Sequence, residues 1–244
     1  MKNVTIIVQG LITQESYNFY IQTYPYNPIV ISTWTNHTLD LSYIPHNVKF
    51  VTTNPPLKSG PQRMNYQFTS TLNGLMLSDT EYSIKVRGDE YYSNLNSLVN
   101  SLQSHPNKIY CSPIWFRHFN QWKFHISDHI IAGTTDNLKT MFKSSKIGFD
   151  MMSIKHMVNG EMKLFYEPEM HLTNAYLREK YQNEFDSNDG IQMMVDNFEI
   201  IDLENLKPYK VVANVYNKVW ESNYIPEDNL SLSNINQLLQ PPPF

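Results

Sequence analysis

The chain has 244 residues, enough for one large domain or two small ones and for a sizeable buried core. A net charge of −4 with only four arginines leaves no basic footprint for nucleic acid. The one cysteine, Cys111, excludes an intrachain disulfide and a cysteine-built zinc site, and it fits a reducing compartment.

No apolar run approaches the ~20 residues that span a bilayer. The opening MKNVTIIVQGLI lacks the small-residue cleavage site of a signal peptide, so it reads as a first strand. These features predict a soluble, cytoplasmic protein, with peripheral attachment to a membrane surface left open.

In chain order, short Val- and Ile-rich runs fall at 4–8, 29–31, 48–51 and 82–86. They do not alternate cleanly, which is the pattern of strands buried on both faces of a parallel sheet. A loop rich in Pro and Gly occupies 54–61. A helix is predicted over 62–78, with Met64, Phe68, Leu72, Leu75 and Met76 on one stripe and Arg63, Tyr66, Gln67 and Ser70 opposite. Ser93 is the expected N-cap of a helix carrying Leu95, Leu98, Val99 and Leu102. A strand is expected over 108–115, helices over 136–143 and 167–181, and a strand over 210–216. Residues 226–244 close with three prolines and read as a surface tail of a single domain spanning 1–244. Alternating strands and helices make this an α/β layered domain.

In such a sheet, ligands bind beyond the carboxyl ends of the strands. Those ends carry Gln9, Gly10, Ser32, Thr33, Trp34, Thr53, Asn54, Arg87, Asp89 and Glu90. A carboxylate just past a buried strand suits a hard cation that neutralises a diphosphate, and Arg87 offers a fork to a phosphate. A solvated, charged turn is the plain alternative. The histidines His118, His125 and His129 lack the glutamate of a hydrolase zinc motif and sit among aromatics, so they read as an aromatic loop packed near a site.

Several of these pieces recur in order. They are Val8-Gln9-Gly10, Ser32-Thr33-Trp34, a helix opening Gln62-Arg63-x-Asn65-x-Gln67, Asn73-Gly74-Leu75 and Lys85-x-Arg87-x-Asp89. Ser127-Asp128, Ala132-Gly133 and Pro168-Glu169 follow. Together they resemble the WavE-type lipopolysaccharide-synthesis family of glycosyltransferases over roughly 4–180. The resemblance implies a GT-A-like, Rossmann-type domain with a mostly parallel central sheet flanked by helices. It implies transfer of a sugar from a nucleotide-diphosphate donor to a glycan acceptor in surface polysaccharide synthesis, with inversion expected.

Gln9, Gly10, Thr33, Arg63, Gln67 and Arg87 are then the expected nucleotide and substrate contacts. Asp89 is the expected ligand of Mn²⁺ or Mg²⁺, although Arg87 stands where the first aspartate of an Asp-x-Asp element belongs. Asp128 and Glu169 are the expected catalytic carboxylates, with His171 a further candidate. The rival readings are a non-catalytic glycan-binding module on a degenerate transferase fold, and a nucleotidyltransferase. Neither a G-x-G-x-x-G nor a Walker loop is present to favour the latter.

Overall fold

A computed structural model describes residues 3–113, 124–145, 154–158, 161–165, 168–182, 190–201 and 204–210. In chain order the elements are β1 (Val4–Gln9), α1 (Gln14–Thr23), β2 (Ile29–Trp34), β3 (Val48–Thr53), α2 (Met64–Met76), β4 (Tyr82–Arg87) and β5 (Tyr91–Tyr92). Then come α3 (Leu98–Ser104), β6 (Ile109–Cys111), β7 (Ile130–Thr134), α4 (Thr135–Ser144), β8 (Ile154–Val158) and β9 (Glu161–Phe165). The last are α5 (Pro168–Tyr181), α6 (Gly190–Asn197), β10 (Phe198–Ile200) and β11 (Pro208–Lys210).

Seven strands form the central sheet in the order β10-β6-β7-β4-β1-β2-β3. All neighbouring pairs are parallel except those of β7, which runs antiparallel to both β4 and β6. The mostly parallel α/β sheet read from the sequence is therefore the observed one, with a single reversed strand inside it. Two small antiparallel pairs, β5 with β11 and β8 with β9, stand apart.

The uninterrupted apolar strands follow from burial on both faces. Val4, Ile6 and Val8 of β1 pack with Tyr20 of α1 and Leu98 and Leu102 of α3. Ile7 points the other way, into a cluster with Phe68 and Leu75 of α2 and Leu138 of α4. Gly74 lets α2 approach that closely. A Cβ there would sit 2.5 Å from Ile7 Cγ2, well inside van der Waals contact. The sole cysteine is buried in β6, as its apolar run predicts.

Some expected boundaries move. Helix α2 starts at Met64 because Gln62 and Arg63 hold left-handed φ values of 45° and 63°, which a right-handed helix cannot include. Ser93 is not a cap. Its hydroxyl donates to the Lys207 carbonyl at 2.9 Å, and a short turn over Leu95–Ser97 leads into α3 instead. The strand expected over 108–115 is three residues long. Its expected end, His118 with its aromatic neighbours, residues 211–216 and the tail at 226–244 lie outside the described residues.

Candidate functional site

The chain passes from β1 to β2 and β3 on one side, then returns to place β4 on the other flank of β1. Connections leaving β1 and β4 diverge there, and a crevice opens beyond their carboxyl ends. Gln9 and Arg87 are register partners at that edge, and Gly88 N donates to the Gln9 carbonyl at 2.8 Å. Gly10 turns the chain away with φ 98°, a conformation open to glycine. At Gly88 a Cβ would lie 2.7 Å from both the Leu11 carbonyl oxygen and Ile12 Cγ1, so only glycine permits the two loops to touch.

A cleft of about 790 Å³ occupies this position. Its floor is Gln9, Gly10, Arg87, Gly88 and Asp89; one wall is Arg63, Tyr66 and Gln67 at the start of α2. A second wall, joined to the first by the hydrogen bond from Gln67 to Asp128, is His125, Asp128 and His129, which precede β7, with Glu169 from the first turn of α5. The volume falls within the range of about 300–1,000 Å³ usual for small-molecule sites. Every contact, metal and carboxylate residue expected from the sequence lines it except Thr33. That side chain is buried within β2, and its neighbour Trp34 lines the cleft and packs on Tyr66 at 5.4 Å between ring centroids.

Ser70, on the polar face of α2, is buried, and its hydroxyl donates to Gln9 Oε1 at 2.6 Å, at the cleft floor. One further expectation is corrected. His171 stays out of the cleft. A carbonyl only accepts, so Nε2 carries the proton it donates to Ser145 O at 2.8 Å, and the ring stacks on Phe68. Burial holds His171 below the usual imidazole range.

Arg87 and Asp89 form a closed pair. Nε donates to Oδ1 and Nη2 to Oδ2, each at 3.0 Å, in the bidentate geometry that guanidinium and carboxylate favour. Burial alone would lower Arg87, but Asp89, Glu90 and Asp128 outweigh it and hold the guanidinium above its ordinary range. A divalent cation fits this donor set poorly, because both Asp89 oxygens are already engaged by a cation. No group of three or more metal-ligating side chains gathers among the described residues. Glu90 does not assist, since its carboxylate is fully buried and turns beneath the cleft.

The family model for WavE lipopolysaccharide synthesis matches residues 5–233. The chain belongs to that family. No curated protein matches it. Among solved structures, HddC from Yersinia pseudotuberculosis is 13% identical, with a TM-score of 0.37, over 56% of this chain and 79% of its own. The 2-C-methyl-D-erythritol 4-phosphate cytidylyltransferase from Thermus thermophilus is 7% identical, with a TM-score of 0.44, over 87% of this chain and 94% of its own. No helix among the described residues of this WavE-family chain is long and apolar enough to cross a membrane.

Beneath the cleft lies a buried charge network that the sequence reading missed. Lys85 is fully enclosed in β4, and its Nζ donates to the Asp128 carbonyl, tying β4 to the segment before β7. Burial lowers Lys85 to about 8, against the pull of Asp128. Glu90 accepts from His129 Nδ1 and, at 2.7 Å, from the Tyr92 hydroxyl. Tyr20 of α1 donates to the Glu90 carbonyl at 2.7 Å, and Tyr24 donates to that of Tyr92. These tyrosines close the core while using their hydroxyls to hold the turn after β4. Burial tends to raise Asp128, yet Lys85, His129, Arg87 and the hydrogen bond from Gln67 bring it down to about 2.

Proposed function

We propose that this WavE-family chain transfers a glycosyl group from a nucleoside-diphosphate sugar to a hydroxyl of a growing lipopolysaccharide glycan. The observation that carries the reading is the cleft at the switch between β1 and β4, lined by Arg63 and Arg87 together with Gln9, Asp89, Asp128 and Glu169. Two guanidinium groups suit a diphosphate, and flanking carboxylates suit a sugar's hydroxyls.

Arg87 meets Asp89 through its Nε and Nη2. A guanidinium has a second forked edge, formed by its two terminal nitrogens, and this edge is available to a phosphate without breaking the Asp89 pair. Asp89 then orients Arg87, and the leaving diphosphate's charge falls to Arg63 and Arg87. No step is assigned to a divalent cation, because the donor set does not fit one. Membrane-surface attachment, where lipid-linked acceptors reside, belongs to the same proposal.

The test is calorimetric titration with UDP, GDP and CDP and their sugars, followed by an assay for nucleoside-diphosphate release. Binding of one base class, lost in Arg87→Ala, with the sugar appearing on a glycan acceptor, supports transfer. Turnover of a nucleoside triphosphate with a sugar phosphate, releasing pyrophosphate, replaces it with nucleotidyl transfer. Binding of glycans without any nucleotide replaces it with a carbohydrate-binding role.

A further inference from the structure

Within the glycosyl-transfer reading above, we propose that His129, held through Nδ1 by the buried Glu90, is the base that takes the acceptor hydroxyl's proton. The geometry separates the two ends of the imidazole. Nδ1 donates to Glu90 Oε1, and Glu90 cannot turn away, because its other oxygen accepts from the Tyr92 hydroxyl at 2.7 Å. A proton on Nδ1 makes Nε2 the accepting nitrogen of the neutral ring. His129 lines the cleft, and its Nε2 lies 3.8 Å from Asp128 Oδ1, outside hydrogen-bond distance but close enough to steady a positive ring. A carboxylate behind an imidazole at the wall of a cleft is the arrangement that fixes tautomer and orientation in base catalysis.

Asp128, one of the two carboxylates expected for this task, is less suited. Asp128 accepts from Gln67 and is surrounded by Lys85, His129 and Arg87. Held at about 2, it has little driving force to take a proton from an alcohol near neutral pH. Its place beside Nε2 makes it a positioning residue for the imidazolium that forms.

The step balances as one displacement. The acceptor O–H proton passes to His129 Nε2 as its oxygen bonds to the anomeric carbon. The bond from that carbon to the diphosphate oxygen breaks, and its electron pair leaves on the nucleoside diphosphate, met by Arg63 and Arg87. Of the charged groups nearby, Glu90 accepts from the ring's Nδ1, Asp128 lies 3.8 Å from its Nε2, and Arg87 stands 3.6 Å from the Glu90 carboxylate.

The experiment uses the full chain and its His129→Gln, Glu90→Gln and Asp128→Asn variants. Donor binding and nucleoside-diphosphate release are measured with UDP-glucose, UDP-galactose and GDP-mannose, and imidazole tautomers are read by ¹H–¹⁵N NMR. The expected result is a kcat fall of about 100-fold in His129→Gln with KM for the donor within about threefold, and loss of the acid limb of the pH profile. Glu90→Gln is expected to lose about tenfold in kcat and to move His129 off the Nδ1–H tautomer that the Glu90 carboxylate favours. Undiminished turnover in His129→Gln, or an unchanged tautomer in Glu90→Gln, overturns the assignment while leaving the transfer reading intact. A larger loss in Asp128→Asn than in His129→Gln with the acid limb retained also overturns it, and gives the role to the carboxylate. Failure of every donor to bind, in samples that melt cooperatively, overturns the transfer reading itself and this assignment with it.

Discussion

Replacing Lys85 by Met tests how far the charge at the centre of the site is desolvated. Lys85 is completely enclosed, and burial brings its ammonium from the ordinary 10.5 to about 8. The unfolded chain keeps that proton up to about pH 10.5, so between pH 8 and 10.5 it binds more protons than the native chain. Stability therefore rises with pH across that window, and the full penalty applies below it. The drop from 10.5 to about 8 corresponds to about 3 kcal/mol, of which about 2 kcal/mol is recovered between pH 7.5 and 9.5. Methionine has nearly the same shape and no proton to lose. Urea unfolding of both chains at pH 7.5 and 9.5, followed by circular dichroism, isolates the lysine. The buried tyrosines are held above their ordinary range and stay protonated in both chains, so they cancel. The stability of the native chain relative to Lys85→Met is expected to improve by about 2 kcal/mol on going to pH 9.5. A difference that is constant, or that shrinks with pH, refutes the reasoning.

Gly88→Ala pushes a methyl group to 2.7 Å from the Leu11 carbonyl oxygen. Overpacking against backbone of this kind costs about 2 kcal/mol, so the melting temperature is expected to fall by about 4–8 °C in a differential scanning measurement. His171→Ala removes a hydrogen bond and a ring stack remote from the cleft, and is expected to destabilise by about 2 kcal/mol with nucleotide affinity unchanged in calorimetry. Because burial lowers His171, the native chain gains stability as pH rises toward 6.5 and loses it on acidification, and this slope is absent in the alanine variant. Under the proposed function, thermal shifts produced by a nucleoside diphosphate persist in EDTA. Shifts that vanish with EDTA and return with Mn²⁺ would place a cation in the cleft after all.

The sheet was legible where burial on both faces produced uninterrupted Val and Ile runs, as in β1, β2 and β4. It was illegible where the run was interrupted by small residues. Ile130-Ile131-Ala132-Gly133-Thr134 forms the reversed strand β7, in which Gly133 is the register partner of Ser83. Helix α1 escaped notice because its buried stripe is tyrosine and serine rather than aliphatic. One signal was present: Thr13 caps it by accepting from Ser16 N at 3.2 Å, with Glu15 in the first turn. Boundaries at the start of α2 depended on left-handed backbone at Gln62 and Arg63, which side-chain periodicity does not report.

At the site, sequence order identified the strand ends but not how the side chains divide between two layers. Arg87-Gly88-Asp89-Glu90 reads as a charged turn that offers Asp89 to an ion, with Glu90 as its neighbour on the other face if the strand continues. The backbone instead sends Asp89 into the cleft against Arg87, while Glu90 turns beneath it toward His129, 39 residues away in sequence. Lys85, two residues before Arg87 on the same face of β4, reaches the carbonyl of Asp128 rather than solvent. Arg87 therefore does more than add a charge to the turn. It closes Asp89 into an ion pair and supplies a fixed positive charge at the switch between β1 and β4. It also sits 3.6 Å from the carboxylate that holds His129. A substitution at Arg87 is thus coupled to His129 through Glu90, and its effects on the two walls of the cleft will not add independently.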